Sequence, residues 1–233
     1  MRRLRIATYN VHQCVGADGR RLPERVAAVL REIDADVVGL QEVDARPGGG
    51  HDSMQMDYLA SQLELEAFAG PTILRHDGHY GNALLTRRPV LDLRHVDLTV
   101  YRREPRAAID VRLDVGGRTV RLVATHLGLL PGERRKQVRR LLDLLGQEAG
   151  VPTILCGDIN EWFGVGRPLR WLNRRLGPCS RLTTFPAAFP IFALDRVWST
   201  PPARLVRVAA HVSETARVAS DHLPLVADVE LPD

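Results

Sequence analysis

Polar residues that a hydrophobic core would not choose recur in this 233-residue chain wherever an apolar run stops. Asn10 closes Leu4–Asn10, and Gln41-Glu42 follow an apolar stretch at Val37, Val38 and Leu40. His126 follows Thr119–Thr125, Gly157-Asp158-Ile159-Asn160 follow Thr153–Cys156, and Ser220-Asp221-His222 precede Leu223–Glu230. Each alone serves as a cap, turn former or loop group. Together, on strand ends that converge on one rim of a sheet, they describe a site. Glu42, Asp221 and Asn10 are hard oxygen ligands, matched to Mg²⁺ or Mn²⁺ rather than zinc. Asp158 can orient or deprotonate an attacking water, with Asn160 holding it in line. His126 and His222 can donate hydrogen bonds to phosphate oxygens as charge builds in the transition state. There is no Walker loop and no GxSxG elbow, so P-loop triphosphatase and serine-hydrolase chemistry lose their support.

The elements that must position these groups alternate from end to end. Leu4–Asn10 reads as a strand, and Pro23 opens a helix with Val26, Val29, Leu30 and Ile33 on one face. Asp36–Gln41 reads as a central strand buried on both faces, and Ser53–Leu63 as a helix with Ser53 at its N-cap. Strands follow at Gly81–Thr86, Val90–Leu98 and Ala107–Asp114, the last turning at Gly116-Gly117 into Thr119–Thr125. Gly132–Ala149 is the clearest helix, with Val138, Leu141, Leu142 and Leu145 inward and Arg134, Arg135, Lys136, Arg139 and Arg140 on the solvated remainder. Thr153–Cys156, Leu194–Trp198, Leu205–Ala210 and Leu223–Glu230 complete the strands. Hairpins mixed with a few helices imply two packed sheets with helices outside. The glycine-rich loop Arg46–Asp52 is too short to divide the chain, so one domain over residues 1–233 is expected.

Composition sets weaker bounds. Three separated cysteines (Cys14, Cys156 and Cys179) give neither a disulfide framework nor a CxxC zinc pair. No apolar run approaches the ~20 residues of a membrane span and no leader precedes the first strand, so a cytoplasmic location is expected. The net charge of +4 favours an anionic partner. Nearly all the basic charge is arginine, which suits phosphate but equally reflects a genome rich in G and C.

The motifs Thr8-Tyr9-Asn10-Val11-His12, Gln41-Glu42-Val43-Asp44, Gly81-Asn82-Ala83-Leu84-Leu85, Thr125-His126-Leu127, Gly157-Asp158-Ile159-Asn160, Leu194-Asp195-Arg196-Val197 and Ser220-Asp221-His222-Leu223-Pro224-Leu225 resemble, in order, those of the endonuclease/exonuclease/phosphatase superfamily. They span residues 8 to 225. The resemblance implies a deoxyribonuclease-I-like α/β fold, a four-layer sandwich of two mixed β-sheets flanked by helices. It implies Glu42 as principal metal ligand, supported by Asn10 and Asp221. It implies Asp158 as activator of the water and Asn160 as its positioner. His222 resembles the phosphate-facing histidine, oriented by Asp195, and His126 a second histidine beside the scissile phosphate. Arg106 resembles a phosphate-contacting arginine, or is an exposed loop charge. Asn82 supports the substrate site through hydrogen bonds, or makes a turn. His12 is read as structural and Cys156 as core filler.

Between Glu161 and Asp195 the chain carries no acidic residue, but it has Arg167, Arg170, Arg174, Arg175 and Arg181 among Trp162, Phe163, Trp171, Phe185, Phe189 and Phe192. If Arg167–Leu176 is helical, Leu169, Leu172 and Leu176 face away from Arg167, Arg170, Trp171 and Arg174. Such a segment suits an anionic membrane surface or nucleic acid, or is an ordinary surface helix with its aromatics turned inward. The expected activity is metal-dependent phosphodiester hydrolysis on a lipid or small phosphodiester. A nuclease is the alternative, and a non-catalytic phosphate- or membrane-binding module the alternative of another class. No obligate protein partner is evident.

Overall fold

The computed structural model describes residues 2–46, 54–76, 78–147 and 150–231. Two sheets stack face to face between two helical layers. The first sheet has six strands: β1 (Arg2–Asn10), β2 (Val37–Ala45), β3 (Glu66–Arg75), β4 (Gly78–Thr86), β10 (Arg204–Ala210) and β11 (Leu225–Leu231). Their order is β10-β11-β1-β2-β4-β3. The second has five in sequence order: β5 (Val90–Asp97), β6 (Ala107–Asp114), β7 (Thr119–His126), β8 (Thr153–Asp158) and β9 (Asp195–Ser199). Pairs β1–β2 and β7–β8 are parallel and the remaining neighbours antiparallel, so both sheets are mixed. Helices α1 (Pro23–Ile33), α2 (Gln55–Leu63) and the short α5 (Ala216–Ala219) cover the first sheet, and α3 (Pro131–Gly146) and α4 (Arg167–Leu176) the second.

Three apolar layers hold this stack together. Val26, Val29, Leu30 and Ile33 of α1 pack on Ala7, Tyr9 and Leu40. Ile6, Leu84, Val229, Ile109, Leu122 and Ile154 interdigitate between the sheets. Val138, Leu141, Leu144 and Leu145 of α3 join Leu169 and Leu172 of α4 over Val123 and Leu155. Alternating side chains thus face opposite layers along each central strand, which is why β2 and β7 are buried on both sides. No helix among the described residues is long and apolar enough to cross a membrane.

Several expectations are corrected. β3 lacks a clean alternation, its outer face being only half buried, and was not anticipated; nor was α5, a single turn. β2 continues past Gln41 to Ala45 because a bulge between Leu40 and Val43 absorbs an extra residue. Arg134 is not on the solvated face of α3: it is buried, donates to the carbonyls of Gly128 and Leu129, and pairs with Glu161 at 3.4 Å. Leu144 replaces Leu142 among the buried residues of that helix. Ser53, His51, most of the Arg46–Asp52 loop and the expected helical end at 148–149 lie outside the described residues. The Gly116-Gly117 turn is as read, with both glycines at positive φ (62° and 83°).

Candidate active site

The ends of β1, β7 and β8, the bulge of β2 and the loop before β11 meet at one mouth. They line a cavity of about 280 Å³ that includes Asn10, Glu42, Arg106, Asp158, Asp221 and His222. His126 and Asn160 line it too. Larger hollows elsewhere on the surface hold none of these groups.

Glu42 reaches the mouth because the bulge turns it inward at φ +60°, a left-handed conformation that costs a non-glycine residue ~1–3 kcal/mol. Asn10 Nδ2 donates to Glu42 Oε1 at 3.0 Å and to Asp158 Oδ2 at 3.1 Å, stitching one sheet to the other. The Ser220 hydroxyl donates to the Asn10 carbonyl at 2.7 Å, which fixes the Ser220-Asp221-His222 loop beside β1. Asp221 is half exposed at the mouth, 3.8 Å from His12 Nδ1, so His12 also borders the site. Glu42 and Asp221 present carboxylate oxygens, hard donors that fit Mg²⁺ or Mn²⁺, while Asn10 turns its Nδ2 to Glu42 and its Oδ1 accepts the His12 backbone N–H at 3.1 Å. The three cysteines lie elsewhere and are not brought together with them.

Asp158 is almost fully buried, and its Oδ1 accepts the Asn160 backbone N–H at 2.9 Å. Burial pushes its carboxyl up to about 6, against the opposing pull of the His222 charge. Gly157 makes this corner possible. Its φ is +146°, and a Cβ there would sit 1.9 Å from the Thr125 carbonyl oxygen. Asn160 takes φ +52° and donates through Nδ2 to the Leu127 carbonyl at 2.9 Å.

The two histidines are tuned in opposite directions. His222 Nδ1–H donates to Asp195 Oδ2 at 2.8 Å, and Thr184 Oγ1 donates to the same oxygen at 2.5 Å. Burial alone would lower the His222 pKa, but the charge and hydrogen bond of Asp195, with Asp158 and Asp221 behind, outweigh it and push it up to about 10. His222 Nε2 lies 3.8 Å from Asp158 Oδ2. Asp158, Asp195 and His222 have ligand-type atoms within 4.8 Å of one another, with Asp195 Oδ2 already accepting from both His222 and Thr184. His126 is lowered well below its ordinary value, by burial first and then by Arg106. A donor group approaches each ring nitrogen: Arg106 Nη1 lies 3.2 Å from Nδ1 and Asn160 Nδ2 3.1 Å from Nε2. His126 Nε2 also lies 3.5 Å from Asp158 Oδ2.

Arg106 is 5% exposed and also bonds Glu104 at 3.1 Å, so it is a buried site residue and not a loop charge. Asn82 does not line the cavity: its Nδ2 donates to the Ala107 carbonyl at 2.9 Å and holds the strand next to Arg106. Sequence reasoning missed Leu129 and also Tyr80, whose phenol is driven well up by burial and the nearby Glu42 charge; Trp162 and Phe185, singled out with the arginine-aromatic segment, complete that wall. Tyr80 sits one residue before the Gly81-Asn82 motif, a signal that was available; nothing marked Glu104 or Thr184.

A two-sheet sandwich with carboxylates, amides and paired histidines at one end defines a class of phosphoesterase. Residues 7–222 match the Endonuclease/Exonuclease/phosphatase family, and the chain belongs to it. Members of this family are hydrolases acting on phosphoesters and are generally dependent on a divalent metal. Among proteins it is similar to is the uncharacterized protein YbhP of Escherichia coli K12, 30% identical over 257 residues that cover 97% of this chain and 96% of YbhP. Among solved structures it is similar to an endonuclease/exonuclease/phosphatase from Beutenbergia cavernae, with a TM-score of 0.79 and 27% identity over 99% of this chain and 72% of that one. A mannosyl-6-phosphatase of Bacteroides thetaiotaomicron shares the fold at a TM-score of 0.78, with 17% identity over 98% of this chain and 100% of that one.

Proposed function

We propose that this protein is a Mg²⁺- or Mn²⁺-dependent phosphodiesterase that uses in-line attack of water on a lipid or small phosphodiester. The observation that carries the reading is the meeting of Glu42, Asn10, Asp158, Asn160, Asp221 and His222 at one cavity, although they come from both sheets and both ends of the chain. Glu42 with Asn10 and Asp221 would hold the cation. When bound, it supplies Lewis-acid charge to a phosphoryl oxygen. Asp158, with a carboxyl near 6, is ionised at neutral pH and accepts a proton from water. Asn160 fixes Asp158 through its backbone N–H and faces the same cavity, where its amide can orient that water. His222, held protonated by Asp195, donates through Nε2 to the phosphoryl oxygens as charge grows. Arg106 offers a second fixed positive charge, held beside the His126 ring.

Purified protein with Mn²⁺ should hydrolyse bis-p-nitrophenyl phosphate and stop in EDTA. Absence of turnover with any divalent metal would leave a binding module instead. Trp162 and Phe185 beside the cavity are also surfaces on which a nucleobase can stack, which favours a nuclease as second reading. Nicking of supercoiled plasmid by wild type and not by Asp158→Ala would select it.

A further inference from the structure

Thirteen large apolar side chains are exposed among the described residues, and eight of them sit on four loops around the catalytic mouth. Leu129 and Leu130 stand on the loop before α3, exposed by 58% and 43%. Trp162, Phe163 and Val165 follow Glu161, the latter two exposed by 69% and 73%. Phe189 and Ile191 tip the loop closed by the Phe185–Phe192 bridge, and Tyr101 tops the loop before β6. Leu129 and Trp162 line the catalytic cavity itself, so this rim is continuous with the mouth. Isolated exposed apolar residues need no explanation, but a ring of them does.

Beside the ring lies a second hollow of about 450 Å³, lined by Arg103, Arg135, Lys136 and Arg139 with Tyr101 and Leu130, and by one carboxylate, the buried Glu133, which accepts from Gln137. Elsewhere in this chain arginines answer carboxylates: Arg5 meets Asp228, Arg25 Asp18, Arg88 Asp36 and Arg121 Asp110. Among the described residues no carboxylate pairs with Arg103, Arg135, Lys136 or Arg139; Arg139 lies over the Trp171 ring of α4, 5.1 Å from its centroid. Arg140 donates to the Thr99 carbonyl at 2.7 Å and ties α3 to the Tyr101 loop, so the basic and apolar parts form one built surface.

We infer that this face docks on an anionic lipid bilayer, with the apolar loop tips entering the headgroup–acyl boundary and the basic hollow taking lipid phosphates. Aliphatic Leu129, Leu130, Val165 and Ile191 favour a bilayer over nucleic acid, because bases stack on aromatic faces and gain little from branched aliphatic tips. Unpaired cations beside them favour an anionic surface over a neutral one. Docking stands on this surface alone; that the scissile diester belongs to a lipid rests on the phosphodiesterase reading above.

The test is flotation of the full chain with vesicles in EDTA, so that no cation bridges carboxylates to lipid. Wild type should bind equimolar phosphatidylcholine–phosphatidylglycerol vesicles and leave pure phosphatidylcholine. Arg135→Gln with Lys136→Gln should weaken binding roughly fivefold per charge removed. Phe163→Ser with Phe189→Ser should weaken it as well. Both double variants should turn over bis-p-nitrophenyl phosphate with Mn²⁺ at the wild-type rate. Failure of wild type to bind anionic vesicles, or equal binding by the variants, overturns the docking. So does tighter binding to single-stranded DNA that is lost in the same variants. Vesicle binding without hydrolysis of the soluble diester leaves docking standing and sinks the catalytic reading.

Discussion

Asp195 touches none of the atoms assigned to the cation, yet it decides the charge of His222. With its carboxylate 2.8 Å from Nδ1, the imidazole holds a proton up to about 10, above the ordinary 6.5. In metal-free protein this His222 proton contributes stability in full below about 6.5, and the contribution is lost as pH rises through about 10. Asp195→Asn should therefore lower the melting temperature by several degrees in mildly acidic EDTA buffer, with the deficit shrinking as the buffer approaches the alkaline end. A deficit that stays constant with pH would contradict the ion pair. At this scale much was legible in the chain. Asn10, Glu42, His126, Asp158, Asn160, Asp221 and His222 could be picked out as a set, because polar side chains with an ordinary excuse one at a time recur where five apolar runs end or begin, whereas Asp195 came only with the family resemblance. Glu104 and Thr184 could not, because their types are common in ordinary surfaces and packing and only their neighbours make them part of the site.

The elements hold those residues in place by backbone devices as much as by side chains. The β2 bulge aims Glu42, and Gly157 lets β8 pass so close to Thr125 that any Cβ would collide. Gly157→Ala should cost at least ~3 kcal/mol in urea unfolding and should lower turnover further by shifting Asp158. Wild-type stability in that variant would show that the strand has slack. Periodicity revealed β1, β6, β7, α1 and α4 with nearly their observed limits. It overlooked β3, whose half-buried outer face breaks the alternation, and it stopped β2 at Gln41, since a bulge leaves no mark in hydropathy. Arg134 shows the converse limit: a residue on a basic stripe turned inward to satisfy Glu161 and two carbonyls.

Seen whole, the molecule divides its site between two sheets. Asn10 and Glu42 come from one, His126, Asp158 and Asp195 from the other, and the distance between the sheets becomes a catalytic variable. Gly39 sets part of that distance, for a Cβ there would stand 3.0 Å from the Ala124 Cβ. Gly39→Val should wedge the sheets, cost ~1–3 kcal/mol by overpacking, and reduce kcat while every site residue remains present. Unchanged kcat in a destabilised Gly39→Val protein would mean that the two halves of the site move together.

The assignment of separate roles to Glu42 and Asp158 is tested most directly by measuring Mn²⁺ affinity by calorimetry alongside bis-p-nitrophenyl phosphate turnover in Glu42→Gln and Asp158→Asn. Glu42→Gln should lose Mn²⁺ binding and turnover together, since an amide replaces the principal charged ligand. Asp158→Asn should keep Mn²⁺ binding while turnover falls by ~10²–10⁴, the scale of a lost general base. Near-wild-type turnover by Asp158→Asn, or undiminished Mn²⁺ affinity in Glu42→Gln, would contradict the account.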